Sequence, residues 1–147
     1  MTIVDDDVYQ WASKLKWHAA HYRGSWRAQR KVKVDGKQRT ELLHRIIIGT
    51  VGKETDHIDG DGLNNQRSNL RVCTHGQNMR NRKVQCNNQS GVKGVTFEKN
   101  SNKWQTRICI EDQRIYLGTF TCLEDAAKAY DAAAVKYHGQ FARTNFQ

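Results

Sequence analysis

The feature that most constrains the fold is a run of turn-forming residues in the middle of the chain. Residues 56–65 read Asp-His-Ile-Asp-Gly-Asp-Gly-Leu-Asn-Asn, a composition that favours a loop over a helix or a strand. A short strand is predicted after it, over residues 69–72, and Thr74 and Gln77 have the spacing of a capping box at the start of a helix. This segment therefore predicts a hairpin followed by a helix.

The region before the hairpin alternates between apolar and polar residues. Strands are predicted over residues 17–22, 26–34 and 37–44, because a period of two is typical of half-buried strands. Asp35-Gly36 separates the last two strands and predicts a type I′ turn. Residues 42–48 are apolar enough to form a buried segment. An antiparallel sheet is therefore expected ahead of the hairpin.

The region after the hairpin shows the same alternation three times and then a helical pattern. Strands are predicted over residues 93–97, 103–110 and 114–120. A helix is predicted next, because Thr121 and Glu124 have the spacing of a second capping box. The face of this helix that should meet the sheet consists of apolar residues, Leu123, Ala126, Ala127, Tyr130, Ala133, Ala134 and Tyr137.

Composition limits both the core and the partners. The 147 residues are 37% hydrophobic with a mean hydropathy of −0.83, which favours two modest cores over one large core. Lys and Arg number 24 against 15 Asp and Glu, and the resulting charge of +9 predicts a polyanionic partner. No apolar stretch approaches the roughly 18 residues of a membrane span. The acidic first residues do not resemble a signal peptide, so we expect a protein of the cell interior.

Polar residues in and after the turn-rich run are expected to meet on one small surface. The hairpin would supply Asp56, His57 and Asn69, and the helix would supply Asn78. A carboxylate and an amide oxygen suit a hard ion such as Mg²⁺, which polarises a phosphate and stabilises a leaving oxygen. A neutral imidazole can accept a proton from an attacking water if a second group fixes its orientation. The pattern therefore indicates hydrolysis of a phosphodiester.

The same stretch resembles the HNH, or ββα-metal, nucleases, in particular their phage and intron homing branch. The matching residues are Thr55-Asp56-His57-Ile58-Asp59-Gly60-Asp61, Asn64-Asn65, Ser68-Asn69-Leu70-Arg71, Cys73-Thr74, Gln77-Asn78 and Asn81. The resemblance implies that Asp56 and Asn78 bind one divalent metal ion, Mg²⁺ or alternatively Mn²⁺. It also implies that His57 is the general base and that Asn69 orients it. The position of Asn78 is usually histidine in the family, and asparagine there is a variant of the homing branch.

Several cations near the motif are predicted to contact DNA. Arg71 and Arg82 are expected to lie around the polar surface of the hairpin and its helix, and Arg30 and Lys31 belong to the preceding basic hairpin. The His44-Arg45 pair resembles an element that recurs before the motif in these nucleases. That resemblance implies a supporting or phosphate-contacting role.

Residues 91–147 resemble the plant ethylene-response-factor, or Apetala-type, DNA-binding domain. The matching residues are Gly91-Val92-Lys93-Gly94-Val95, Lys103-Trp104, Arg107-Ile108, residues 114–120, residues 124–127, Ala129-Tyr130-Asp131, Ala133-Ala134 and Asn145-Phe146. The resemblance implies a three-stranded antiparallel sheet backed by one helix, with the outer face of the sheet in the major groove. The implied DNA contacts are Lys93, Arg107, Arg114 and Tyr116. Three positions that are often basic in plant members are not basic here, namely Thr96, Glu98 and Cys109.

Together these patterns predict an α+β protein with a ββα-metal nuclease core and N-terminal antiparallel sheet, followed by a small three-stranded sheet with one helix. Residues 1–85 are expected to form the HNH domain, residues 86–90 a linker, and residues 91–147 the DNA-binding domain. We expect a monomeric endonuclease that cuts double-stranded DNA into 5′-phosphate and 3′-hydroxyl ends, without a membrane or protein partner. A phage or mobile element would encode it, and it would act in the host cytoplasm. The alternatives are a non-catalytic DNA-binding regulator on a nuclease-derived scaffold, and a nuclease that acts on RNA or structured DNA.

Overall fold

The chain folds into two compact units, each with its own sheet and its own apolar core. The computed structural model describes residues 1–22, 24–50, 52–111 and 113–146. The first unit is Met1–Asn78, and the second begins at Met79. Each unit contains an antiparallel sheet and a separate cluster of buried apolar residues. The α+β class predicted from the sequence is confirmed.

The first unit combines short helices with two antiparallel sheets. Its elements, in chain order, are α1 (Asp6–Ala12), β1 (His18–Tyr22), β2 (Ser25–Val34), β3 (Lys37–Leu42), α2 (Leu43–Ile48), β4 (Glu54–His57), β5 (Leu70–Cys73) and α3 (His75–Arg80), which crosses into the second unit. Strands β1, β2 and β3 pair in that order, and β4 pairs with β5. The predicted N-terminal sheet, hairpin and helix are therefore all present.

The turn between β2 and β3 has the expected type I′ backbone. Asp35 and Gly36 both have positive φ, 50° and 74°, which matches the twist of the flanking strands. Strand β3 ends at Leu42, two residues before the predicted end, because the apolar residues that follow form α2 instead. The structure thus places a short helix directly ahead of the hairpin.

The core of the first unit holds the turn-rich loop in place. Its buried residues come from α1, β2 and α2, and they are Val8, Ala12, Ala28 and Leu43. The first residues of the chain pair with the loop, since Ile3 N donates to Leu63 O at 2.9 Å and Asn65 N donates to Ile3 O at 2.7 Å. The loop is therefore anchored from its far side by the N-terminal segment.

The second unit is a three-stranded sheet covered on one face by a helix. Its elements are β6 (Val95–Glu98), β7 (Lys103–Ile110), β8 (Gln113–Phe120) and α4 (Leu123–His138), and the strands pair in the order β6-β7-β8. Ile108, Tyr130, Ala133 and Ala134 form the buried cluster between β7 and α4. The small alanine side chains let the helix lie close to the strands, as the sequence indicated.

The helix ends differ in how well they match the prediction. At α3, Thr74 N donates to Gln77 Oε1 and Gln77 N donates to Thr74 Oγ1, so this capping box is confirmed. The Thr121–Glu124 box is wrong, because α4 begins after Cys122 without a side-chain cap. At the other end, Tyr137 is largely exposed and His138 is buried instead, since His138 Nε2 donates to Cys109 O at 3.0 Å.

Across the described ranges, every helix is too short or too polar to cross a lipid bilayer.

Candidate functional site

The predicted catalytic residues lie on the hairpin and on the helix that follows it. Asp56 and His57 end β4, Asn69 ends a short 3₁₀ helix (Arg67–Asn69) just before β5, and Asn78 lies in α3. Asp56, His57 and Asn69 are all buried, although each carries a strongly polar side chain. Buried polar groups need hydrogen-bond partners, so the partners of each residue show how the site is held.

His57 has a buried amide as the partner of one ring nitrogen. Its Nε2 lies 3.2 Å from Asn65 Oδ1, and Asn65 is fully buried. Because the Asn65 amide donates through Nδ2 to Thr2 Oγ1 at 2.8 Å, its oxygen faces the imidazole and accepts from Nε2–H. The lone pair of the neutral ring then lies on Nδ1. Burial lowers the pKa of His57 below its usual value, against the opposing effect of the bond to Asn65, so the neutral form is favoured.

Asn65 is the site residue whose role the sequence did not indicate. The residue belongs to the matched motif, but the bond to His57 depends on Thr2 and Ile3, which lie more than sixty positions earlier in the chain. The only local signal was the Asn64-Asn65 pair itself. The Asn65 amide is fully buried and is bonded at both ends, which fixes its orientation, and this burial became visible only in the fold.

Asn69, expected to orient His57, is bonded to the turn-rich loop. Its Oδ1 accepts from Asp59 N at 3.0 Å, and its Nδ2 donates to Asp59 Oδ1 at 2.9 Å and to Asn64 O at 2.8 Å. These bonds close the loop into one rigid turn that begins directly after His57. An effect of Asn69 on His57 through this loop stays a prediction.

Asp56, the expected carboxylate ligand of the metal, is paired with Arg71. The two residues face each other across β4 and β5, and Arg71 donates to Asp56 Oδ2 through Nε at 2.9 Å and through the terminal NH₂ group at 2.6 Å. Both side chains are largely buried. Arg71, predicted to touch DNA, is therefore a close neighbour of Asp56, where it balances the carboxylate charge.

Asn78 is joined to the same strand through Glu54, which no sequence pattern singled out. Its Nδ2 donates to Glu54 Oε2 at 2.6 Å, and His75 Nδ1 donates to Glu54 Oε1 at 2.8 Å. These hydrogen bonds, from Asn78 first and then from His75, hold the pKa of Glu54 below its usual value. Glu54 and Asp56 are two residues apart on β4 and share one face of it.

The donor set fits a hard cation with few protein ligands. Glu54, Asp56 and Asn78 offer carboxylate and amide oxygens from one strand face and the adjoining helix. Among the described residues, no group of three or more His, Cys, Asp or Glu side chains is gathered into a metal-binding cluster. Mg²⁺ needs no such cluster, because it is commonly held through one or two carboxylates while water and phosphate supply its other ligands.

His44 lies against the predicted catalytic histidine. The two rings are 5.0 Å apart and nearly perpendicular, at 78°. His44 is 4% exposed and its Nδ1 is buried without a hydrogen-bond partner. Burial first, and then the charges of His57, Arg27 and Arg45, lower the pKa of His44 to about 3. His44 is therefore a neutral side chain that packs against His57, which we call the neutral wall of the site. This fits the supporting role implied by the family rather than contact with phosphate.

The predicted DNA contacts of the first sheet have different environments. Arg30 Nε donates to Glu41 Oε2 at 2.6 Å, and its guanidinium lies over the Trp17 ring. Lys31 is on the other face of β2 and is exposed. Arg27, which shares the face of Lys31, adds to the lowering of the pKa of both His44 and His57. Of the two predicted contacts, Lys31 is the more accessible to a polyanion.

The outer face of the second sheet carries Arg107, Arg114 and Tyr116. Arg107 lies opposite Tyr116 in the register of β7 and β8, and Arg114 is opposite Cys109. All three side chains are exposed, whereas Ile108, between Arg107 and Cys109, is 1% exposed on the helix side. Alternation thus places the predicted contacts together on the face that α4 leaves open.

Lys93, the remaining predicted contact, has most of its donors engaged. Its Nζ donates to Arg80 O and to Arg82 O, the latter at 2.9 Å. Burial lowers the pKa of this ammonium to about 8, with a further contribution from the charge of Arg143. The Arg82 side chain itself is exposed. Contact of Lys93 and Arg82 with DNA stays a prediction.

Comparison with known families assigns a class to each part of the chain. The HNH endonuclease family model matches residues 41–80, and the AP2 domain family model matches residues 90–140. The first match covers α2, the hairpin and α3, and the second covers the three-stranded sheet and α4. The chain therefore joins an HNH endonuclease domain to an AP2 DNA-binding domain, as the resemblances predicted.

Relatives of known name support both halves. Protein 3.8 of Escherichia phage T7 is 35% identical over 92 residues, which are 63% of this chain and 75% of that protein. The chain belongs to the same family as that phage protein. The AP2-like ethylene-responsive transcription factors PLT2 of Arabidopsis thaliana and CRL5 of Oryza sativa are each 46% identical, over 60 and 59 residues. The matches to these plant factors span 11% and 9% of their lengths.

Proposed function

We propose that this protein is a metal-dependent DNA endonuclease of the HNH homing type, which hydrolyses phosphodiester bonds in duplex DNA and is targeted by its AP2 module. Residues 1–85 would form the nuclease, 86–90 the linker and 91–147 the targeting domain. The products would carry 5′-phosphate and 3′-hydroxyl ends. The phage relative supports an origin in a phage or mobile element and action inside the host cell.

The observation that carries the proposal is the environment of His57. A histidine that is 9% exposed is held through Nε2 by a fully buried amide, next to a buried carboxylate on the same strand. Burying such polar groups costs free energy that hydrogen bonds must offset, and buried titratable groups with shifted pKa values cluster at functional sites. With Nε2 committed to Asn65, His57 presents Nδ1 to accept the proton of an attacking water.

The other residues would hold the metal and the loop. Asp56 and Asn78 would bind one Mg²⁺, or Mn²⁺, with Glu54 bonded to Asn78 beside them. When bound, the ion would supply a positive charge that stabilises the phosphate and the leaving 3′ oxygen. Asn69 would keep the segment after His57 rigid, and Arg71 would hold Asp56 until the ion binds.

Plasmid relaxation tests the proposal. Supercoiled DNA is incubated with Mg²⁺ and either the wild type or His57→Ala at equal concentration, with His18→Ala, an exposed histidine of β1, as the matched control. We expect the wild type and His18→Ala to nick or linearise the plasmid, and His57→Ala to lose at least about two orders of magnitude in rate. Equal rates for His57→Ala and the wild type would remove His57 from the chemistry.

A second candidate function is a DNA-binding regulator without catalysis. The ion pair between Asp56 and Arg71 favours this function, because the arginine is bonded to the carboxylate that would have to bind the metal. In that case the wild type would shift duplex DNA in a gel but leave the plasmid intact with Mg²⁺ and with Mn²⁺. The same assay on RNA and single-stranded DNA would identify a nuclease with another substrate.

A further inference from the structure

The second unit contains a basic cavity that is lined by residues outside its three strands. The cavity has a volume of about 550 Å³ and is lined by residues 82–84, 91–93 and 143–146. Its walls are therefore the segment after α3, the segment that leads into β6, and the C-terminal tail. We call it the basic cavity.

The walls of the basic cavity carry a net positive charge. Arg82, Lys83, Lys93 and Arg143 are all lining residues, and the lining residues that the structure describes include no carboxylate side chain. The charges are close enough to act on one another, since Arg143 contributes to the lowered pKa of Lys93 while the charge of Asp131 opposes that change. An anion in the cavity would relieve this repulsion.

Hydrogen bonds hold the C-terminal tail, which is one wall of the cavity, in place. Asp131 of α4 accepts from Asn145 N at 2.8 Å and from Phe146 N at 3.0 Å, and Asn145 Oδ1 accepts from Lys93 N at 2.7 Å. These bonds tie the C-terminal tail to the segment that leads into β6. The tail wall is therefore held in place before any ligand arrives.

Lys93 fixes the opposite wall and still has a donor for a ligand. Its ammonium donates to the carbonyls of Arg80 and Arg82, which holds the segment after α3. An ammonium has three N–H donors, so one remains. Lys83 and Arg82 are exposed lining residues, and Arg143 is a half-buried one.

We propose that the basic cavity binds a backbone phosphate of DNA, as a contact separate from the outer face of the sheet. Arg143 and Lys83 are the main ligands and Lys93 is the third. The contact is independent of base sequence, because phosphate oxygens carry none. The inference rests on the proposed function only in taking DNA as the ligand, and it is independent of cleavage.

The test is the salt dependence of DNA binding by the full chain in EDTA, where no cleavage occurs. Fluorescence anisotropy measures the Kd for two duplexes of unrelated sequence at KCl concentrations from about 50 to about 200 mM. Removing one phosphate-binding cation should flatten the slope of log K against log salt by about 0.9. The variants are Lys83→Gln, Arg143→Gln and their combination. Lys83→Arg keeps the charge, and Lys136→Gln removes a cation that is not part of the lining.

We expect each glutamine variant of the cavity to weaken binding about three- to tenfold, equally on both duplexes, and to flatten the slope. Lys83→Arg should keep the wild-type slope, and circular dichroism should show all variants folded. The inference fails if the slopes of the cavity variants equal that of Lys136→Gln, or if the weaker binding is confined to one duplex. Cleavage is measured separately. If the wild type does not cleave DNA but the cavity variants still flatten the salt slope, the nuclease proposal fails and the proposed phosphate site stands.

Discussion

The two units build their functional surfaces in opposite ways. In the first, Asp56, His57, Asn65 and Asn69 are between 0% and 9% exposed, and every one of them has polar partners from other segments. In the second, the predicted DNA contacts on the sheet are exposed, with Tyr116 at 56%. A catalytic group must be fixed in one geometry, whereas side chains that contact DNA must be exposed to reach the bases and phosphates.

This difference separates the effects expected of substitutions. Changes to the buried site residues of the first unit that keep the fold should alter the rate at saturating DNA and leave affinity unchanged. Changes on the sheet of the second unit should alter affinity and leave that rate unchanged. The rigid part of the second unit is the core beneath its sheet, and substitutions there should affect stability.

Gly94→Ala should have the largest effect and tests where the rigidity of the second unit lies. Gly94 has φ +76°, and a Cβ there would overlap the Tyr130 ring and the carbonyl of Arg107. Strain and overpacking together should destabilise this unit by about 4 kcal/mol. Hydrogen exchange of the β7 and β8 amides in the full chain measures it.

Gly91→Ala is the matched control for that substitution. Its φ is +68°, but a Cβ there would meet open space, so only backbone strain of about 1 kcal/mol is expected. Equal destabilisation by the two substitutions would show that Tyr130 moves aside freely, and the core under the sheet would then be softer than its burial suggests.

Asn65→Ala should separate rate from affinity in the first unit. Removing the amide leaves His57 Nε2 without its buried acceptor, so the ring loses its fixed orientation. We expect cleavage to slow by about 100-fold, or about 2.7 kcal/mol in activation free energy, with an unchanged Kd for DNA. Gln38→Ala, on exposed β3, is the control. A decrease in affinity that matches the decrease in rate would contradict the assignment.

Acid should destabilise the first unit through His44. The pKa of His44 is about 3 in the folded chain against 6.5 ordinarily. As the pH falls below 6.5, His44 is therefore protonated in the unfolded chain but stays neutral in the folded chain. Between pH 7 and about pH 4.5 this should remove about 2.5 kcal/mol of stability. The groups that face His44 are His57, Arg27 and Arg45, all of which oppose its protonation.

Urea unfolding followed by tryptophan fluorescence measures this effect, because Trp11, Trp17 and Trp26 lie in the first unit and only Trp104 lies in the second. His44→Phe should show a shallower decline of stability with acid than the wild type, whatever its stability at pH 7. Parallel slopes for the two proteins would mean that His44 is protonated in the fold and is not a neutral wall of the site.

Features that depend on neighbouring residues were predictable from the sequence. The hairpin, the α3 capping box and the bounds of β7 over residues 103–110 follow from turn residues, cap spacing and alternation, all of which act within a few positions. The same holds for Asp56 and His57 at the end of β4 and Asn78 in α3. Local patterns thus placed Asp56, His57 and Asn78 in the candidate site, but not Glu54.

Partners contributed by distant segments were not predictable. The bond from Asn65 to Thr2 joins residues 63 positions apart, and no periodicity or spacing relates them. Lys93 matches a DNA-contacting position of the AP2 family, but its ammonium meets the carbonyls that follow α3. The Thr121–Glu124 pattern failed as a cap because α4 begins one residue later than that box requires, at Leu123 with Cys122 as its N-cap. The motif therefore predicts which residues belong to the site, but only the fold shows which side chains they contact.

The smallest effect is expected on the outer face of the second sheet, and it completes the comparison. Arg107→Ala and Arg114→Ala each remove an exposed guanidinium that the sheet register places beside its neighbours on β7 and β8. Without one arginine at a base edge, binding to the preferred sequence should weaken by about tenfold, or about 1.4 kcal/mol. Lys128→Ala, on α4, is the control. Anisotropy gives the affinity, and cleavage at saturating DNA should proceed at the wild-type rate. A slower rate at saturation would mean that these arginines align the scissile strand, and the expected division between a unit that sets the rate and a unit that sets the affinity would have to be abandoned.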